Sequence, residues 1–325
     1  MQIPLAERYR DRLPLTAATP IVTLGEGGTA LLPAPRLSAS LGLEIWLKWE
    51  GQNPTGSFKD RGMTIAISKA LEEGAEAVIC ASTGNTAASA AAYAARAGLP
   101  ALVLQPAGAV AIGKLAQARA LGARVLEVRG SFDDALSAAR ELAARGTHVL
   151  VNSLNPYRLE GQKTAAFEIL EELGGPPDVL ALPYGGGGNT RAYAMGFEEA
   201  GARPRIVAVE AADRDGTAAS AIRISDPAHA AEAAAALDRS GGRVVTVPDD
   251  AILDAWRALA REEGVFCEPA SAAGVAGLAH AGLEPGTRVV CVITGHGLKD
   301  PETAARLTEL PVAVDPDPDA IAALA

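Results

Sequence analysis

The feature that most constrains this chain is a regular alternation, from Ala77 onward, of short β-branched or apolar runs with alanine-rich helical stretches. Each pair reads as a strand followed by a crossover helix, and repetition of that unit gives mostly parallel sheets covered by helices on both faces. Strands are expected over residues 78–82, 101–105, 124–128, 148–152, 179–183, 206–210, 244–247 and 288–294. Helices are expected over 86–97, 113–121, 131–145 and 164–173, after Asn189, and over 252–263 and 271–281. This is too many strands for one small sheet. The expectation is a two-domain α/β protein, with a small α/β domain over 55–148 inserted in a larger one made of 1–54 and 149–325. Ligands in such folds gather beyond the carboxyl ends of the strands, so motifs at strand ends carry the most information.

Composition narrows the class. With 325 residues, 49% hydrophobic and only 4% aromatic, the chain can fill sizeable cores, built from Ala, Val, Leu and Ile rather than rings. A formal charge of -10, with no basic run to offset it, argues against nucleic acid and anionic membrane as partners. No window approaches the roughly 18 apolar residues of a membrane span and no leader pattern opens the chain, so a cytoplasmic protein is expected. Cys80, Cys267 and Cys291 are scattered without a metal-ligand spacing, and no metal site is expected. Cys80 and Cys291 lie in apolar runs and read as small buried hydrophobes. The Asp- and Pro-rich tail 311–325 reads as a surface segment, and Ala230 to Ala236 as plain helix.

Five segments carry chemistry. In Asn53-Pro54-Thr55-Gly56-Ser57-Phe58-Lys59-Asp60-Arg61-Gly62, a turn delivers Lys59 to a helix starting near Met63. Burial beside a cationic or dipolar group is how a lysine amine becomes reactive at neutral pH. Ser82-Thr83-Gly84-Asn85-Thr86 joins the first strand and helix of the small domain, where hydroxyls, amides and free N–H groups cap a helix or hold an anion. Tyr184-Gly185-Gly186-Gly187-Gly188-Asn189-Thr190 joins a strand to a helix, and its glycines let backbone approach a phosphate at the helix N-terminus. It is neither a Walker loop nor the dinucleotide fingerprint, since no Lys-Ser/Thr follows and Thr190 takes the third glycine's place. Asn152, Ser153 and Arg158 lie on a polar loop after a strand, where an arginine with amide and hydroxyl neighbours can hold an anion. Thr294-Gly295-His296-Gly297-Leu298-Lys299-Asp300 closes the last strand and sets the Thr294 hydroxyl at the carboxyl edge of the sheet.

In this order the segments resemble the fold type II pyridoxal-phosphate enzymes, the group shaped like the tryptophan synthase β subunit, and among them the threonine synthases. The resemblance runs from Thr23-Leu24-Gly25-Glu26-Gly27-Gly28-Thr29 to Lys299-Asp300, and the Thr294–Asp300 segment is its most specific part. It implies pyridoxal 5′-phosphate as cofactor, with Lys59 as the Schiff-base lysine and catalytic base, and Asn85 beside the cofactor's 3-hydroxyl. Gly185, Gly186, Gly187, Gly188 and Asn189 would form the cup for its phosphate, and Thr294 would face its pyridine nitrogen. A neutral hydroxyl there does not force the nitrogen to be protonated, which favours elimination and replacement chemistry. The implied reaction converts O-phosphohomoserine and water to threonine and phosphate by γ-elimination and β-addition. Ser82 and Thr86 would hold the amino-acid end of the substrate, and Asn152, Ser153 and Arg158 its phosphate. A homodimer is the family's habit. One departure stands out: threonine synthases commonly carry an asparagine early in the glycine cup, where this chain has Gly186.

Two rivals are weighed against this. A serine/threonine dehydratase, or a related β-replacement enzyme of the same fold, has no substrate phosphate to pair with Arg158. A non-catalytic binding module has no need of a lysine, amide and hydroxyl at the three cofactor positions.

Overall fold

The computed structural model describes residues 3–108, 112–309 and 311–322. Its strands are β1 (Leu31–Pro33), β2 (Glu44–Trp49), β3 (Val78–Ala81), β4 (Ala101–Pro106), β5 (Arg124–Val128), β6 (Val149–Leu150), β7 (Val179–Pro183), β8 (Arg205–Ala211), β9 (Arg243–Val247) and β10 (Arg288–Ile293). They form two sheets, ordered β1-β2-β10-β7-β8-β9 and β5-β4-β3-β6. Every pairing is parallel except β1 with β2.

The central strands of both sheets are buried on both faces, as their near-continuous apolar runs require. In the larger sheet Val179, Ala181, Val207, Val209, Val289 and Cys291 point to one core, shared with the helix Asp249–Arg261 through Ile252, Trp256 and Leu259. The alternate residues Leu180, Leu182, Ile206, Ala208, Val290 and Val292 point to the other, under the helices Pro156–Leu173 and Gly188–Glu199. The smaller sheet repeats the pattern. Val78, Cys80 and Val103 face the alanine-rich helix Asn85–Ala97, while Ile79, Ala81 and Leu104 face the helix Phe132–Ala144. Each such side chain taken from water contributes roughly 1.5–3 kcal/mol for Val or Leu. Cys80, Cys267 and Cys291 are free and buried, and burial pushes the Cys80 and Cys291 thiols up to about 12.

Three sequence expectations are corrected. The strand expected at 148–152 is the two-residue β6, and it pairs with β3 in the smaller sheet rather than opening the larger domain. The following helix begins at Pro156, not 164: Asn155 caps it by accepting from the Tyr157 N–H at 3.0 Å, and Pro156 supplies a preset φ at its first turn. The helix expected over 271–281 is three short pieces, Pro269–Ala272, Ala273–Ala276 and Gly277–His280. They lie so close to the sheet that a Cβ on Gly277 would collide with Val209, and one on Gly274 would come within 3.1 Å of the Ala181 carbonyl oxygen.

A buried ionic cluster anchors the helix Lys59–Glu72, which starts at the candidate reactive lysine. Arg61 reaches Glu50 and Glu168, each at 2.6 Å, and Lys48 reaches Glu168 at 3.0 Å. Burial alone would push the Glu168 carboxyl up, but Arg61 and Lys48 beside it bring it down to about 2. The helix also packs backbone to backbone on Pro156–Leu173. A Cβ on Gly161 would collide with the Arg61 carbonyl, and one on Gly62 would sit 2.5 Å from the Arg158 carbonyl oxygen.

Candidate active site

A cavity of about 1220 Å³ opens beyond the carboxyl ends of the strands, large enough for a cofactor and a substrate together. Its lining includes Lys59, Ser82, Asn85, Thr86, Asn152, Ser153, Gly185, Gly186, Gly187, Gly188, Asn189 and Thr294. The structure therefore brings twelve of the thirteen expected site residues together, drawn from segments far apart in sequence. Arg158 is the exception.

Lys59 is held by the end of β10. The Phe58 N–H donates to the Thr294 carbonyl at 3.0 Å and the His296 N–H to the Gly56 carbonyl at 2.9 Å, stitching the lysine loop to the Thr294 segment. The side chain is part-exposed to the cavity, with its amine 4.3 Å from the centre of the Phe58 ring. Desolvation, with help from the Arg158 charge and against the pull of Glu268, lowers the amine from 10.5 to about 7. Near neutral pH about half of it is therefore the free base.

β3 ends at Ala81 and the helix Asn85–Ala97 begins over the cavity. Ser82 Oγ accepts from the Gly84 and Ala87 N–H groups at 3.2 and 3.1 Å, so this serine organises the turn. Asn85 Nδ2 donates to both carboxylate oxygens of Glu268, at 2.9 and 3.2 Å. Across the cavity β7 leads into the glycine segment, where Gly187 at φ +79° takes the left-handed conformation before the helix Gly188–Glu199. There Asn189 Nδ2 and Thr190 Oγ1 are buried without a hydrogen-bond partner. Buried donors left open at a helix N-terminus suit an anion. Thr294 Oγ1 lies 2.9 Å from Ser271 Oγ, and the Gly295 N–H donates to that same serine at 2.8 Å. The pair forms a neutral hydroxyl site fixed to the end of β10.

Two expected anion contacts are placed differently. Asn152 turns its amide to the end of β3, accepting from the Ala81 N–H at 2.9 Å and donating to the Ala81 carbonyl at 2.8 Å. It serves to extend the small sheet. Arg158, expected on an exposed polar loop, is fully buried in the first turn of the helix and does not line the cavity. Its Nη1 donates to the Val151 carbonyl at 2.8 Å, while Nε and Nη2 have no partner. Burial lowers this guanidinium to about 10, and its charge adds to the desolvation that depresses Lys59.

The sequence did not point to Glu268, Ser271 or Lys299 as site residues. Glu268 is buried in the cavity wall, and a Cβ on Gly295 would collide with its Oε1, so a side chain there would displace the carboxylate. Lys299 donates to the Thr55 carbonyl at 3.1 Å and to Gln117 Oε1 at 2.6 Å, linking the end of β10 to the small sheet's helices. Glu268 and Ser271 sit before a helical stretch with no spacing that marks them. Lys299 sits inside a motif that does.

Comparison with known proteins bears on this arrangement. The pyridoxal-phosphate dependent enzyme family model matches residues 22–295. The threonine synthase of Halalkalibacterium halodurans is 49% identical over 96% of this chain and 94% of that protein. That of Synechocystis sp. is 53% identical over 93% of this chain and 85% of its own length, and that of Methanocaldococcus jannaschii 46% over 95% and 84%. Among solved structures, an O-ureido-L-serine synthase superposes with a TM-score of 0.78 at 21% identity, covering 96% of this chain and 99% of that one. Maize serine racemase gives 0.74 at 22%, covering 83% and 88%. At these identities the two structures speak to the shared fold.

Proposed function

The chain belongs to the pyridoxal-phosphate-dependent enzymes, and from that membership and its near full-length likeness to threonine synthases we infer that it carries out the threonine synthase reaction. We further propose O-phosphohomoserine as the substrate and assign the side chains that handle it. The observation that carries the reading is one cavity holding a lysine amine at about 7, a glycine cup with open buried donors and the Thr294 hydroxyl, backed by Ser271.

The residues fit the cofactor. The open Asn189 and Thr190 donors and the N–H groups of the helix Gly188–Glu199 suit its phosphate, Asn85 its phenolic oxygen, Thr294 its ring nitrogen, and Lys59 its aldehyde. When bound, pyridoxal phosphate supplies an aldehyde that condenses with amines and an electron sink for carbanions. Lys59 Nζ, half unprotonated at neutral pH, is suited to take a proton from the substrate's α- and β-carbons and to return one later. Thr294, held by Ser271, offers the ring nitrogen a hydrogen bond without fixing a proton on it. The backbone turn organised by Ser82, with Thr86 beside it, suits the substrate's carboxylate.

We place the substrate phosphate near Ser153. Arg158, which donates to the Val151 carbonyl, would supply positive charge from behind the wall rather than a direct clamp. The buried arginine then has two tasks, depressing Lys59 and favouring an anion. We propose 1–54 with 151–325 and 55–150 as the two lobes, a boundary moved to keep β6 with its sheet. A cytoplasmic homodimer is proposed with them; among the described residues no helix is long and apolar enough to cross a membrane.

The test is to incubate the purified, cofactor-loaded protein with O-phosphohomoserine and, separately, with L-threonine or L-serine. Equal amounts of phosphate and threonine are expected from the first. Oxo acid from threonine or serine with no phosphate released from O-phosphohomoserine would instead assign a dehydratase.

A further inference from the structure

His229 belongs to no motif of the sequence, yet it touches three consecutive residues of the glycine cup. Its backbone N–H donates to the Gly186 carbonyl at 3.0 Å. Its own carbonyl oxygen lies 2.9 Å from where a Gly187 Cβ would stand, and its ring Cδ2 lies 3.2 Å from the corresponding position at Gly188. The ring then spans to the other anion site, with Nε2 2.9 Å from the Ser153 carbonyl oxygen. A carbonyl only accepts, so Nε2 carries the proton. Nδ1 is buried without a hydrogen-bond partner, so the ring's one polar contact is the Nε2 bond to Ser153. The residue is 4% exposed, so water does not compete for the bond.

We propose that His229 is a positioning residue that fixes the cofactor-phosphate cup and the substrate-phosphate loop at one separation. The inference rests on the functional reading above for what the two sites hold. Gly186 makes the need concrete. A Cβ at Gly186 would meet only Ile224 Cδ1 at 3.7 Å, so nothing packs tightly on the cup at that point. The cup must be braced from outside, and His229 grips its backbone on one side and Ser153 on the other. A histidine that merely filled space would need its ring but not its Nε2 proton.

His229→Phe keeps the ring and removes the proton; His229→Gln keeps an amide donor and removes the ring. In the full chain, cofactor affinity is measured by absorbance titration of the stripped protein, and the cup by the phosphorus-31 shift of the bound cofactor. The substrate loop is measured by the inhibition constant of inorganic phosphate. With the Ser153 carbonyl left unpaired, His229→Phe should weaken both affinities about tenfold and shift the phosphorus line. His229→Gln should return both to within about threefold of the parent. A Phe variant matching the parent in both affinities, or a Gln variant no better than Phe, overturns the proposal. Should the Phe variant not fold, the Gln variant decides alone: near-parental affinities support the role, and a tenfold loss in both refutes it. If the parent releases no phosphate from O-phosphohomoserine, the substrate reading fails, while the cofactor affinities still judge the hold on the cup.

Discussion

Removing the buried guanidinium near Lys59 should move the pH at which that amine can react. An ordinary lysine at 10.5 is neutral about once in three thousand molecules at pH 7, whereas Lys59 at about 7 is neutral about half the time. Desolvation is the larger cause and survives the substitution; the Arg158 charge does not. One charge close to a buried group is worth about one pH unit or more, so Arg158→Met should carry Lys59 to about 8 and cut its neutral fraction at pH 7 to roughly one in ten. Glu268→Gln removes a charge that pulls the other way and should lower the midpoint. The assay is the rate at which cofactor-stripped protein captures added pyridoxal phosphate, followed by visible absorbance across pH 5 to 10. The parent rate should rise through a midpoint near 7, with Arg158→Met displaced upward. A parent midpoint near 10, or one that Arg158→Met leaves in place, would refute the electrostatic reasoning.

Three further outcomes follow from the same geometry. In the cofactor-free protein Lys59 is held below its unfolded value, so the unfolded chain binds more protons between pH 7 and 10.5 and stability rises with pH across that window. Lys59→Met should therefore stabilise the stripped protein by a few kcal/mol, about 4 at most at pH 7, with the gain in urea unfolding shrinking towards pH 10.5. Gly295→Ala drives a methyl into the Glu268 carboxylate and should release Asn85, weakening cofactor binding about tenfold in titration with little loss of secondary structure by circular dichroism. Glu168→Gln leaves Arg61 and Lys48 under-compensated and should cost about 3–5 kcal/mol in chemical denaturation. Because the Glu168 carboxyl is depressed, its share of stability is present above pH 4.5 and should be lost as pH falls towards 2.

Much of this was legible in sequence because parallel α/β sheets write their period plainly. β4 at Ala101–Pro106, β5 at Arg124–Val128 and the helix Phe132–Ala144, closed by the Ser131 and Asp134 capping box, lie within a residue or two of expectation. β1 and β2 were not anticipated. β1 is three residues long and antiparallel, and β2 joins the sheet by pairing with β10, some 240 residues away. The start of the helix at Pro156 was within reach, since Asn155-Pro156 is a cap followed by a first-turn proline. Reading that pair as loop put Arg158 at the surface, when it is buried. The break-up of residues 269–280 reflects tertiary contact, as Gly274 and Gly277 lie against the sheet backbone and Val209. Glu268 and His229 act through partners more than 70 residues away in sequence, at Asn85 and Ser153, and no local pattern encodes such a meeting.

Lys59 is the residue proposed to hold the cofactor. Borohydride reduction of the loaded protein, followed by proteolysis and mass mapping, tests this most directly. A single cofactor-bearing peptide with the modification on Lys59 is predicted. Modification on Lys299, the other lysine lining the cavity among the described residues, or on no cavity lysine would contradict it.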